Sequence, residues 1–171
     1  MTIPLGYPGE DQIRWLFAQG VPDTAILEPE PIRAGKVRFL DRLTFDFDSD
    51  GERALIFRHD HDLIAWQPKR ELLASWRGVA FAINEDAIWN PASWFAESAL
   101  RIHRTPLQWL QANRDGIVIV QPRLACAMLH HVPRLAFADT AHARQIRLAM
   151  QPPKLCCEFL VEQSAMERRA A

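Results

Sequence analysis

The chain has 171 residues, of which 49% are hydrophobic and 24% charged; twenty basic against twenty-one acidic side chains leave a net charge of −1. That length suffices for one domain with a real core, and the charge balance argues against a dedicated electrostatic nucleic-acid binder, which shows a basic excess on at least one face. No apolar run approaches the roughly 18 residues of a membrane span, so no membrane partner is expected.

Residues Met1 to Gly6 lack the order of a secretory leader, a basic stretch followed by an apolar one. Three cysteines, with Cys156 and Cys157 adjacent, form no Cys-x-x-Cys and read as small apolar groups. The expected compartment is therefore the reducing cytoplasm.

Glu10 to Gly20 is predicted to be a helix, because Ile13, Leu16 and Phe17 recur at i, i+3 and i+4 and Gly20 can end it in a left-handed cap. Val21 to Pro31 carries Pro22, Pro29 and Pro31 and reads as a loop. From Ile32 to Ile83 the pattern becomes short strands. These are 36–40, 43–47, 54–57, 63–66, 72–76 and 79–83, with Asp50-Gly51 as a hairpin signal and turns at 59–62 and 67–70. Such spacing predicts an antiparallel meander.

Residues 94–102 are predicted to be helical. Thr105-Pro106 reads as an N-cap followed by a first-turn proline, opening a helix through Asn113. Next comes a strand–helix–strand pattern. Ile117-Val118-Ile119-Val120 is apolar throughout, 123–131 is helix-like, and 134–139 is a second short apolar run. A helix over 140–150, a strand over 155–161 and a short polar end complete the chain. The expected architecture is a single α/β-type domain, with α+β organisation as the alternative: an antiparallel meander (32–83) packed against a small βαβ sheet (105–161) with flanking helices.

Few residues carry chemistry. Asp46-Phe47-Asp48-Ser49-Asp50-Gly51 matches the start of a calcium loop, but Phe57 stands where the bidentate acid belongs, so a solvated turn is the preferred reading over a partial cation site. His59-Asp60-His61-Asp62 resembles a ligand cluster, yet two histidines make an incomplete zinc set, and a polar hairpin turn is preferred. His130-His131 ends a helix, where a partly positive imidazole suits the dipole. No nucleophile-elbow pattern and no glycine-rich phosphate loop is present. Arg101, Arg104, Arg114, Arg123, Arg134, Arg144 and Arg147 could track a phosphate backbone if several shared one side, although solvated helix faces are the commoner use.

The order of elements over about residues 50–150 resembles the catalytic core of bacterial primases with its Toprim βαβ unit. Ala54-Leu55-Ile56-Phe57, the turn at 60–62 and Leu63-Ile64-Ala65-Trp66 are similar to that family's hairpin, and Asn90-Pro91 falls where its turn falls. Arg114-Asp115-Gly116-Ile117-Val118-Ile119-Val120 resembles the strand leading to its glutamate. Leu124 to Leu129 stands for the following helix, and Phe137-Ala138-Asp139 for a later strand or aspartate motif.

The resemblance would place the family's catalytic glutamate at Gln121, its glycine at Pro122, the aspartate four residues after the glutamate at Ala125, and the metal-holding Asp-x-Asp pair at Asp139 and Ala141, so only Asp139 keeps a charge. A neutral amide supplies neither a general base nor charge to Mg²⁺. The expectation is a degenerate, non-catalytic Toprim-like accessory module with no catalytic, cofactor-binding or metal-binding residue to assign. Its expected partner is nucleic acid or a protein of a replication or mobile-element system. The alternative is a structural protein that forms homo-oligomers through Trp66, Trp76, Trp89, Trp94 and Trp109.

Overall fold

A computed structural model describes residues 5–151. The strand predicted over 155–161 and the polar end beyond it lie outside the described residues.

Helix α1 (Glu10–Ala18) and a short helix α2 (Asp23–Leu27) precede the first sheet. Leu16 is fully buried, and Gly20 takes the expected left-handed conformation after α1. Helix α2 falls in the stretch expected to be a loop. Pro22 caps its start, and its buried Ala25 and Ile26 hold it against the core.

The first sheet contains β1 (Arg33–Phe39), β2 (Phe45–Phe47), β3 (Glu52–His59), β4 (Asp62–Gln67) and β5 (Leu72–Ser75) in the order β2-β1-β3-β4-β5, all antiparallel. Asp50-Gly51 is not a hairpin. Val37 of β1 pairs with Phe47 on one side and with Glu52 on the other, so residues 48–51 carry the chain across the β1 backbone. Gly51 sits at the crossing, where a Cβ would lie 2.4 Å from the Val37 carbonyl oxygen. The sheet curls until Thr44 bridges Ser75, bringing its two edges together.

Alternation along β3 and β4 sorts the side chains. Ala54, Ile56, Leu63 and Ala65 fill the inside of the curl with Val37 and Phe45. Leu55, Phe57, Ile64 and Trp66 face the second sheet. Both faces are covered, which is why these strands read as nearly unbroken apolar runs.

The second sheet has the order β6-β8-β7-β9, with β6 (Ala82–Ile83), β7 (Leu100–His103), β8 (Ile117–Ile119) and β9 (Leu135–Phe137). Strands β8 and β9 both run parallel to β7, and β6 is antiparallel to β8. Two expectations are corrected here. Residues 79–83 do not extend the meander: only 82–83 form a strand, and it belongs to the second sheet. Residues 94–102 are not a helix, because Leu100 and Ile102 are buried with the period of a strand, and the resulting β7 separates β8 from β9.

Helices α3 (Asp86–Trp89), α4 (Pro106–Gln111), α5 (Ala125–Leu129) and α6 (Thr140–Ala149) complete the fold. Thr105 caps α4 by accepting from the Gln108 amide, and Asp139 caps α6 by accepting from the His142 amide. Trp109 and Leu110 of α4 pack in the core between the two sheets with Val118 and Val120. Ala125, Leu129 and Ile146 of α5 and α6 cover the opposite face with Leu100, Ile102 and Ile117.

The crossing at Gly51 leaves no room for a methyl group against backbone. Gly51→Ala is expected to lower unfolding free energy by about 1–3 kcal/mol in urea melts. Gly6→Ala, where a Cβ meets nothing within 4 Å, should stay within about 0.5 kcal/mol of the parent.

Candidate functional site

The segment joining the two sheets, residues 76–81, is buried at its end yet is neither helix nor strand, so its peptide groups need other partners. Side chains supply most of them. Asp62 is 5% exposed; one carboxylate oxygen accepts from the amides of Leu63 (2.7 Å) and Arg77 (2.8 Å), the other from Val79 (2.9 Å) and Ala80 (3.0 Å). Gln121 is 0% exposed and donates its amide hydrogens to the carbonyls of Gly78 (2.7 Å) and Ala80 (3.1 Å), while its oxygen accepts from Arg123 (3.1 Å). The Phe81 carbonyl takes the backbone amides of Val120 and Gln121. Glu85 accepts from the amides of Phe81 and Ala82 and pairs with His59 Nε2 at 2.9 Å.

The His59–Asp62 turn is therefore divided. His59 and Asp62 point inward as clamps on the inter-sheet segment, and Asp60 and His61 stay exposed. Burial raises the Asp62 pKa, but the four amide donors outweigh it and hold the carboxyl below the ordinary range. The Asp46–Gly51 turn is likewise tied internally. Asp48 pairs with Arg38 and accepts from the Asp50 amide, and Asp46 accepts from the Trp76 indole at 3.3 Å.

Parallel α/β sheets place ligands outside the carboxyl ends of their strands, where consecutive crossovers leave in opposite directions. Here α4 carries the chain from β7 to one neighbour, and α5 carries it back past β7 to the other, so that point lies between β7 and β9. Arg104 follows β7, Asp139 follows β9, and they pair at 3.2 Å. Asp139 also accepts from the His142 amide at 2.7 Å, and that bond with the Arg104 charge keeps its pKa low. The His142 ring is buried edge-on against Phe137, and burial, then the charge of Arg104, lowers its pKa. The imidazole is thus neutral at neutral pH. Arg104 and His142 carry no signal in the sequence as a pair, because only the strand order brings them together.

A cleft of about 1360 Å³ lies between the β3–β4 tip and residues 28–33, 83–86 and 113–114. Three residues on its wall, Asn84, Asn113 and Arg114, adopt positive φ, and each is explained by local bonding. Asn84 donates to the Gly116 carbonyl, Asn113 accepts from Thr24, and the Arg114 guanidinium binds the carbonyls of Ala25 and Glu30 above Trp109.

The Mg²⁺ set that the Toprim resemblance implies does not fit these residues. Gln121 has both amide hydrogens on carbonyls, Asp139 is bonded to its own helix and to Arg104, and Ala125 and Ala141 have no ligating atom. Among the described residues no group of three or more His, Cys, Asp or Glu side chains gathers as a metal-ligand set.

The arginines are mostly engaged as well. Arg101 pairs with Asp115, Arg104 with Asp139, Arg114 with backbone carbonyls, Arg123 with Gln121, and Arg134 with the Ala96 carbonyl and Glu97. Arg144 and Arg147 are exposed on α6. His130 caps α5 by bonding the Ala127 carbonyl at 2.7 Å, in keeping with its helix-end position.

A carboxyl with a depressed folded pKa stabilises above its unfolded pKa, and that contribution is lost as pH falls through the folded value. Asp62→Asn turns two N–H groups toward the Val79 and Ala80 donors or loses the pair at Leu63 and Arg77. It is expected to cost about 2–4 kcal/mol at pH 7, with the gap to the parent narrowing below about pH 4 in chemical denaturation. Gln121→Glu faces a carboxylate with two carbonyls. A cost of about 2–4 kcal/mol at pH 7 is expected, growing as pH rises from the unfolded carboxyl's pKa of about 4.3 toward the elevated folded one and levelling off above it.

Comparison with protein-family models, with curated proteins and with solved structures finds no match to this chain.

Proposed function

We propose that this chain is a non-catalytic, Toprim-like binding module associated with nucleic acid or with a protein partner of a replication or mobile-element system. The observation that carries the reading is the use made of Gln121. At the strand end where the resemblance places the catalytic glutamate, a buried amide instead holds the Gly78 and Ala80 carbonyls. A carboxylate could not do so, since both partners are acceptors. Arg104 pairs with Asp139 at the point where an α/β sheet offers its ligand crevice, although β7 lies between β8 and β9. The exposed Arg144 and Arg147 on α6 supply cations for a phosphate backbone.

A second reading, a self-associating interaction protein, draws on fewer tryptophans than the sequence suggests. Trp66 and Trp109 are 4% exposed and belong to the core, whereas Trp89 is 57% exposed. No helix among the described residues is long and apolar enough to cross a membrane.

The purified chain is expected to bind labelled DNA with an affinity that falls as salt rises. Arg144→Ala with Arg147→Ala should reduce the slope of log affinity against log salt by about two. Added Mg²⁺ or Mn²⁺ should produce no strand cleavage or synthesis. Metal-dependent cleavage, or no DNA binding at low salt together with concentration-dependent mass by light scattering, would overturn the reading.

A further inference from the structure

An aromatic cluster lies at the amino ends of the parallel strands, on the opposite edge of the second sheet from Arg104 and Asp139. Trp89 ends α3, which follows β6, and β6 is antiparallel to β8. His131 precedes β9. Their rings stack in parallel, 4.5 Å between centroids and 12° between planes.

The imidazole beneath is fixed from several sides. Trp94 meets it edge-on at 6.3 Å, His130 at 5.4 Å, and its Nε2 lies 3.4 Å from the Ile88 carbonyl. Trp94 is itself held by a bond from its indole to the same carbonyl, 2.9 Å. Trp89 is thus backed by a rigid ring on one side while 57% of it stays exposed.

The neighbouring loop brings a second aromatic group and a cation. Phe95, 69% exposed, follows Trp94, and the Arg134 guanidinium donates to the Ala96 carbonyl at 2.7 Å. Two acids belong to the neighbourhood: Glu97, 3.9 Å from Arg134, and Asp86, one turn before Trp89 on α3. An indole stacked on an imidazole and largely exposed, with a guanidinium three residues beyond that imidazole in the chain, has the elements that single-strand binders combine. The π face stacks on a base of any identity, and the cation meets the phosphate. A duplex presents no base faces and gains nothing from such a surface.

We propose that the Trp89–His131 stack, with Phe95 and Arg134 on the adjoining loop, is a stacking platform for an unpaired base of single-stranded nucleic acid. This rests on the reading of the chain as a nucleic-acid-associated module and names the form of nucleic acid it takes.

The test compares labelled oligothymidine with a duplex of equal length by fluorescence anisotropy, using the full chain, Trp89→Ala and Trp89→Phe. Trp89→Ala should weaken oligothymidine binding by about 5-fold to 100-fold and leave duplex binding unchanged, while Trp89→Phe keeps most of the affinity. Circular dichroism melts confirm that each variant is folded. Equal loss for both nucleic acids, or no loss for either while DNA binding persists, overturns the platform and leaves the module reading standing. Absence of binding to both by the parent chain overturns both. Self-association abolished by Trp89→Ala with DNA binding intact assigns the patch to a second copy and overturns the platform.

Discussion

The molecule depends on the way residues 76–81 are satisfied. This segment leaves a curled antiparallel sheet and enters a mixed one, and regular structure provides for few of its peptide groups. Asp62 gathers amide donors from one side and Gln121 serves carbonyls from the other, while Glu85 and the end of β8 take the remainder. An unpaired buried peptide group costs on the order of 1–3 kcal/mol, so the two sheets are joined by a seam of polar contacts that tolerates few alternative arrangements. The apolar core between the sheets, with Phe57, Trp66, Trp109 and Val118, supplies attraction; the seam determines registration.

That seam also governs how the chemistry-bearing residues are used. A buried glutamine, a buried aspartate and a half-buried His–Glu pair would each draw attention as a functional group in isolation. In this fold Gln121, Asp62 and the His59–Glu85 pair each have partners in the backbone or across the sheets, while Gln67 Oε1, Ser75 Oγ and His131 Nδ1 are buried without one among the described residues. The α6 arginines and the aromatic edge around Trp89 are among the surfaces left open.

Much of the framework is visible in local pattern. The α4 start follows from Thr105-Pro106, the α6 start from Asp139, and the buried strands from apolar runs, because these signals act over a few residues. The strand β7, Leu100-Arg101-Ile102-His103, alternates apolar and polar over only four residues, too short a window to outweigh a helix reading of 94–102, and missing it misplaces β9. Asp50-Gly51 is a true glycine requirement assigned to the wrong geometry, since a close crossing over Val37 and a hairpin ask for the same residue. The role of Gln121 could not be read at all, because its partners lie about forty residues away and are backbone atoms. Likewise the division of the 59–62 turn, two residues inward and two outward, depends on a second sheet that no local window contains.

The curl of the first sheet has a consequence for behaviour in a crowded solution. Exposed strand edges template pairing with other chains. Here β2 is three residues long and its approach meets β5 through Thr44 and Ser75, so the two margins of that sheet blunt each other. In the second sheet, among the described residues, β9 pairs on one side only. The other outer strand there, β6, is two buried residues long, so among the described strands of that sheet Leu135–Phe137 is the longer margin on which strand addition could begin.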